Sequence, residues 1–407
     1  MTHSIAPSPQ APAGMPLGGV AGRVTAEDRA KVVMPGTDRA RPVEVSLANA
    51  LRCAKLVGVT RLADVTHLDT VGIPTYQAIR PTSRTLTVSQ GKGLSDALAS
   101  VSALMESTEL WHAENAVLDR FVETIAKLRP ALTYDPYTDL PLEENHLLHD
   151  GLPLEWVTAT QLPDGRPVPV PYRLVNLDFT DPMGWRPRIF QETSNGLASG
   201  NTFVEAVLHA LYEVVERDAL ARGPQPLDRC PRFDPRELDS DPVNELLDRF
   251  EAAEVAVDAH WVPSPTGMPC VLVRVVSGDY QIIAGGYGCH LKTEIATTRA
   301  LTEAAQSRLT LISGARDDMV RRDYDPVSEM TQAPRLADRQ HQCQPLPASL
   351  RASTSHESLL EDLVEVNRRC VAAYPAPPLI LDLGQPEIGL SVARVIVPGA
   401  RLNEGLA

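Results

Sequence analysis

Apolar side chains recur at helical spacing in three long stretches of this chain, and each stretch has a start or stop signal. The first is expected to run from Ser95, a plausible N-cap, to residue 128. The second covers residues 202–221. The third covers residues 293–312, with Gly314 placed to end it. A further helix begins after Pro42, where Leu47, Leu51 and Leu56 recur, and shorter ones are predicted at 240–253 and 356–372. Short β-branched runs alternate with the helices, at 85–89, 155–159, 256–261, 270–276, 281–284, 379–383 and 391–397. The pattern predicts an α+β fold in which mixed sheets are covered by long helices. Proline-rich connections lie at 129–172 and 223–235, and no repeat of fixed period is evident. Residues 1–34 are rich in Pro, Ala and Gly and are expected to form a disordered tail. One large domain follows over 35–400, with a short tail at 401–407.

The helices carry an unusual load. Glu106 and Glu109 stand three apart in the apolar run that contains Val101, Leu104, Met105 and Leu110. Glu213 and Glu216 repeat that spacing among Val207, Leu208, Leu211, Val214 and Val215. Glu303 and Gln306 sit between Leu301 and Leu309. Residues at i and i+3 share a helix face, and carboxylates beside an apolar stripe are costly to bury without a compensating cation. Four glutamates in two such pairs point to a divalent metal, and Mg²⁺ takes hard oxygen ligands shared with phosphates. Arg217 and Arg308 are placed to meet phosphate oxygens. Two glycine-containing segments, Gln90–Gly93 and Ser194–Asn201, precede the first two helices and read as anion-binding turns. Each piece taken singly also has a structural reading. A Glu pair can be a solvated face, Thr202 and Glu205 can form a capping box, and His112 and His209 can be packed histidines. Gly91-Lys92-Gly93 lacks the earlier glycine of a P-loop.

SQGKGLSDALASVSALMESTELWHAEN, SNGLASGNTFVEAVLHALYEVVERDAL and RALTEAAQSRLTLISGARDDM resemble, in order and spacing, the most characteristic stretches of YcaO-domain proteins. The likeness extends over about residues 35–400. It implies a YcaO-type fold with an ATP site between helices and no P-loop. It also implies ATP and Mg²⁺ as cofactors, with Glu106, Glu109, Glu213 and Glu216 as metal ligands. Arg39, Ser46, Lys92, Ser194, Asn195, Glu205, Arg217 and Gln306 would then contact the nucleotide; Arg41 is an alternative to Arg39. Arg217 and Lys92 are the catalytic cations expected at the transferring phosphoryl group.

The resemblance further implies a reaction in the maturation of a ribosomally made peptide. A nucleophile adds to a backbone carbonyl, the oxyanion takes the γ-phosphoryl group of ATP, and phosphate leaves with the former carbonyl oxygen. A Cys or Ser side chain would give an azoline, sulfide a thioamide, and an N-terminal amine a macrocyclic amidine. The chain lacks the proline-rich PxPxP ending of many azoline-forming members. Several of its segments are similar to members that act with a TfuA-like partner in thioamide formation, or that stand alone in peptide natural-product pathways. A precursor peptide is the expected substrate, a TfuA-like or peptide-binding protein the expected partner, and family precedent points to a homodimer. The competing reading is a non-catalytic nucleotide-binding accessory protein, such as a helper of a methylthiolating enzyme. A net charge of -14 argues against nucleic-acid or membrane-surface binding. No run of 18 apolar residues and no signal peptide are evident, and six scattered cysteines read as reduced thiols, so a cytoplasmic location is expected.

Overall fold

A computed structural model describes residues 17–180, 188–224, 227–278, 283–320, 324, 343–351, 354 and 356–402. The strands are β1 (Val32–Met34), β2 (Thr37–Arg39), β3 (Arg61–Asp64), β4 (Thr75–Ile79), β5 (Val88–Lys92), β6 (Phe121–Thr124), β7 (Pro153–Gln161) and β8 (Pro167–Pro171). They continue with β9 (Leu197–Gly200), β10 (Val255–Val262), β11 (Cys270–Ser277), β12 (Ala284–Cys289), β13 (Leu379–Asp382) and β14 (Ser391–Ile396). The helices are α1 (Val43–Leu56), α2 (Asp96–Glu114), α3 (Ile125–Leu128), α4 (Phe203–Arg222), α5 (Asp241–Ala252), α6 (Thr293–Ser313), α7 (Ala348–Arg351) and α8 (Leu359–Ala373).

The strands form four sheets: β1-β2, β3-β4-β5, β10-β11-β12, and a six-stranded sheet ordered β6-β7-β13-β14-β9 with β8 also paired to β7. Every pairing among them is antiparallel. The α+β expectation holds.

Three strand–helix units place the site, and glycine makes each one. In β5, a Cβ on Gly91 would lie 2.0 Å from the Ala103 nitrogen and 2.2 Å from the Ala99 carbonyl of α2. In β12, Gly286 and Gly288 meet α6 as closely, at 2.1 Å from the Ala300 carbonyl and 2.0 Å from the Ala296 carbonyl. At the end of β9, Gly200 would bring a Cβ to 2.6 Å from the Ala206 nitrogen of α4. Backbone against backbone, with alanines on the helix side, sets α2, α4 and α6 close to their strands. The segment Gln90–Lys92 is therefore strand, not the anion-binding turn expected from its glycines. The same holds for Leu197–Gly200 within the second expected turn, of which Ser194–Gly196 remains a turn, with Gly196 at φ 77°.

Other boundaries also moved. The first long helix stops at Glu114 rather than reaching residue 128. The Asn115 side chain bonds back to the Trp111 carbonyl at 2.8 Å, and Leu177 N and Asn176 Nδ2 take the Ala113 carbonyl, so the last carbonyls have partners outside the helix. Residues 85–87 are not strand, because Thr85 and Thr87 give their amides and hydroxyls to Glu114 and Asp317. The strand expected at 281–284 lies from Ala284 onward; Gln281 and Ile282 are outside the described residues. In α1 the large residues Leu51 and Leu56 face out while Ala50, Cys53 and Ala54 are buried, since α2 approaches that face closely.

Part of the segment expected to be a disordered tail is folded. Leu17 and Val20 are buried, and Gly18 and Gly19 donate to the carbonyls of Pro163 and Leu162. Asp28 is fully buried, where it accepts from Thr25 and, at 2.5 Å, from the Thr202 hydroxyl at the start of α4. Lys31 pairs with Asp362 of α8 at 2.5 Å. A few buried anchors hold this segment where composition alone predicts none. Residues 1–16 and 403–407, within the expected tails, lie outside the described residues.

Candidate active site

Glu106 and Glu109 leave α2 on the side facing α4, which carries Glu213 and Glu216, and α6 supplies Glu303. None of the five is exposed, and Glu216 is buried. Burial raises Glu106 from 4.5 to about 7, with Glu213 adding to the rise and Arg316 and Lys92 opposing it. Burial likewise lifts Glu109 to about 7 against two hydrogen bonds from Ser199, at 2.8 Å from its amide and 2.6 Å from its hydroxyl. Glu216 rises to about 7 through burial and then Glu303, and Glu213 rises through burial. Each acid responds electrostatically to another, so the structure brings the pairs from separate helices within interaction range of one another.

Cations line the same cleft. Lys92 Nζ sits 2.7 Å from Glu303 Oε2. Burial pushes Glu303 up, but Lys92, Arg217 and Arg299 outweigh it and hold the carboxyl below its ordinary value. Arg217 acts on Glu213 and Glu216 from the same helix. Gln306 lies on the face of α6 that carries Glu303, and its Oε1 is buried without a hydrogen-bond partner.

A second group forms at the start of α4. The Glu205 carboxylate accepts from Ala40 N at 2.9 Å and from Asn201 Nδ2 at 3.2 Å, and Arg39 Nε stands 3.8 Å away. Glu205 N donates to the Thr202 hydroxyl at 3.1 Å, so half of the expected capping box exists while the carboxylate turns to Ala40 and Asn201 instead. Ser46 Oγ donates to Asn201 Oδ1 at 3.0 Å. Arg39 also interacts with Glu109 and Arg299, which joins the two groups. Arg41 instead pairs with Glu27 at 2.8 Å. From Glu205 to Glu216 the helix runs about 16 Å, so the functional strip follows most of α4.

The Ser194–Gly196 turn adjoins Glu213 through Arg394. Arg394 is buried, donates to the Thr193 carbonyl at 2.7 Å, and is lowered to about 10 by burial against the pull of Glu213. Asn195 Oδ1 is buried without a partner, while Ser194 is exposed.

Sequence reasoning missed Arg299, Arg316 and Arg394. Arg299 stands one helical turn before Glu303, a spacing that could have revealed it. Its Nη1 lies 3.2 Å from His209 Nε2. Arg394 comes from the far end of the chain and leaves no local signal. Conversely, Arg308 is no phosphate ligand here: it is buried, pairs with Asp69 at 2.8 Å and donates to Ser277 at 2.7 Å. His112 bonds the Thr108 carbonyl at 2.7 Å, as a packed histidine would.

A family model described as YcaO cyclodehydratase, ATP- and Mg²⁺-binding, matches residues 90–401. A protein in the tfuA 3′ region of Rhizobium leguminosarum bv. trifolii is 34% identical over 364 residues, covering 85% of this chain and 84% of that relative. The structure of YcaO from Methanopyrus kandleri bound with AMPPCP and Mg²⁺ superposes with a TM-score of 0.68 at 25% identity, over 91% of this chain and 94% of that one. A heterocyclase in complex with substrate and cofactor gives a TM-score of 0.75 at 21% identity over 93% of this chain; the chain spans about half, 54%, of that protein.

Among the described residues no three His, Cys, Asp or Glu side chains form a ready ligand set for one metal. Mg²⁺ does not require one: it commonly takes one or two carboxylates and fills its octahedron with phosphate oxygens and water. The residues fit that use. They offer hard oxygens, burial holds their carboxyls high, and Glu216 Oε2 is buried without a hydrogen-bond partner.

Proposed function

Since this chain belongs to the YcaO family of ATP- and Mg²⁺-binding cyclodehydratases, we propose that it activates a peptide backbone amide by moving the γ-phosphoryl group of ATP to the amide oxygen, so that a nucleophile replaces that oxygen. The observation that carries the reading is the convergence of Glu106, Glu109, Glu213 and Glu216 from two helices on one cleft rimmed by Lys92, Arg217 and Arg299. When bound there, Mg²⁺ would neutralise phosphate charge, held by the Glu pairs of α2 and α4.

The protein's own groups do the rest. Arg39, Glu205, Asn201 and Ser46 at the start of α4 orient one end of the nucleotide, and Asn195 and Gln306 offer it unused side-chain oxygens. Arg217 and Lys92 face the transferring phosphoryl group, where charge must be stabilised rather than a bond made to protein. In the balanced reaction the nucleophile bonds to the carbonyl carbon and the oxyanion bonds to the γ-phosphorus. ADP then leaves, and the carbon–oxygen bond finally breaks to release phosphate.

We favour sulfide as the nucleophile, giving a thioamide, because segments of this chain resemble TfuA-associated members and a relative is encoded in a tfuA 3′ region. The substrate is then a precursor peptide and the partner a TfuA-like protein. Among the described residues no helix is long and apolar enough to cross a membrane.

Mass spectrometry of precursor peptide with protein, Mg-ATP and sulfide is the direct check. Exchange of oxygen for sulfur supports the thioamide branch, and loss of water without sulfide supports ring formation. An unchanged peptide with every partner present would leave only the accessory role.

A further inference from the structure

A second cavity, of about 460 Å³, opens at the C-terminal end of α2, outside the acidic cleft. Trp111 and Tyr172 wall it, Val117 stands at its rim with 84% of its surface exposed, and Gln385 bonds the Asn115 carbonyl beside it. Its charged residues are already matched. Arg84 pairs with Asp178 at 2.7 Å, Glu155 with Arg120 at 3.3 Å, and Arg173 with Glu192 at 3.6 Å. A strongly ionic ligand would gain little from groups so neutralised.

The backbone tells more. The chain leaving α2 at Ala116 and Val117 is irregular, and neither residue makes a backbone hydrogen bond to the described residues. It leads into β6, which pairs only with β7 among the described strands and so forms a sheet edge. Phe121 and Val122 are exposed on that edge. Unpaired amides and carbonyls, aromatic walls and an apolar rim together suit an extended polyamide that adds main-chain hydrogen bonds and buries side chains between the rings.

The cavity wall is tied to the acidic site through Arg394. Glu213 acts on Arg394, and Arg394 Nε donates to the Leu174 carbonyl at 2.8 Å, at the end of the segment that carries Tyr172 and Arg173. On the opposite wall, Glu192, the partner of Arg173, stands two residues before Ser194 of the active-site turn.

We infer that this cavity receives a part of the peptide substrate outside the amide that reacts, and that Trp111, Val117 and Tyr172 contribute to sequence selection. The inference rests on the peptide-activation reading above. It assigns substrate recognition to the YcaO domain itself.

The test uses the full chain and the precursor peptide that wild-type enzyme converts in the mass assay. A photo-crosslinking p-benzoylphenylalanine replaces Val117, and in a control replaces Val33, which is exposed on β1 and lines no part of the cavity. Peptide should crosslink at 117 and not at 33. Val117→Glu, at a surface position where folding is tolerant, should raise KM for the peptide about tenfold by opposing burial with a charge. Its Mg-ATP affinity without peptide should equal that of wild type. Conversion of peptide by Val117→Glu at wild-type KM, with no crosslink at 117, would overturn the cavity assignment and leave the reaction standing. If wild-type protein binds Mg-ATP but converts no peptide, the peptide reading itself fails, and this cavity loses its occupant with it.

Discussion

Glu106, Glu109 and Glu114 belong to one helix and meet opposite fates. Glu114 is 3% exposed, yet its carboxyl lies below the ordinary value. Burial pushes it up, but Arg80 makes two bonds to it at 2.6 and 2.7 Å, and Ser83 and Thr85 add three more. Glu106 and Glu109 are less buried by surface area, and burial nonetheless drives both to about 7, because the cations near them are too few. A buried carboxylate whose charge is fully answered is part of the architecture. One left unanswered in a cleft is held ready for something that arrives later. Other groups that could carry a proton are answered as Glu114 is. Asp317 is occupied by Thr87, His112 by a helix carbonyl, and His290 packs on Tyr212 with ring centroids 4.6 Å apart while accepting from Lys292 N.

The sharpest way to break this contrast is to remove Glu114. Glu114→Ala strands the buried Arg80, and a loss of about 3–5 kcal/mol in chemical denaturation is expected. A loss below 1 kcal/mol would mean the network is not structural. Glu216→Gln should do the reverse. Peptide conversion should fall by about a hundredfold or more, with the melting temperature equal to or above that of wild type. Equal losses of fold and activity would erase the distinction between the two kinds of carboxylate.

Gly91→Ala probes how the cleft is set in place. The added methyl meets the α2 backbone, so about 1–3 kcal/mol of stability should go, together with Mg-ATP affinity, since Lys92 and Glu106 move apart. Calorimetry showing intact affinity would uncouple the β5–α2 contact from the site.

The smallest effect concerns pH. Glu106 has a folded value of about 7 against 4.5, so between those values the folded state binds more protons than the unfolded one. Stability therefore falls as pH rises through that window and levels off above it. Glu106→Gln removes the slope. Without nucleotide the variant should match wild type near pH 4.5 and exceed it by about 1 kcal/mol or more above pH 7. Parallel melting curves across that range would show that Glu106 is not held high.

The acids of the site were legible because helical spacing places both members of each pair on one face, and because a carboxylate among Leu and Val has no cheap structural use. Glycine was legible as important but misread. Gly91 and Gly200 read as parts of turns around phosphate, whereas a missing Cβ serves equally, there as at Gly286 and Gly288, to let a helix press on a strand. Which use applies depends on a neighbour far along the chain.

The chain by itself determined that long amphipathic helices would carry paired glutamates and that their segments would be of YcaO type, since periodicity and local motif need no partner to be read. Only the tertiary structure decided which charges meet. It set Glu114 against Arg80, Arg308 against Asp69, Arg394 beside Glu213, and Asp28 beneath the first turn of α4. Whether a buried charge is answered is a property of three-dimensional neighbours, and the energy of an ion depends on distance and solvent, neither of which is written along the sequence.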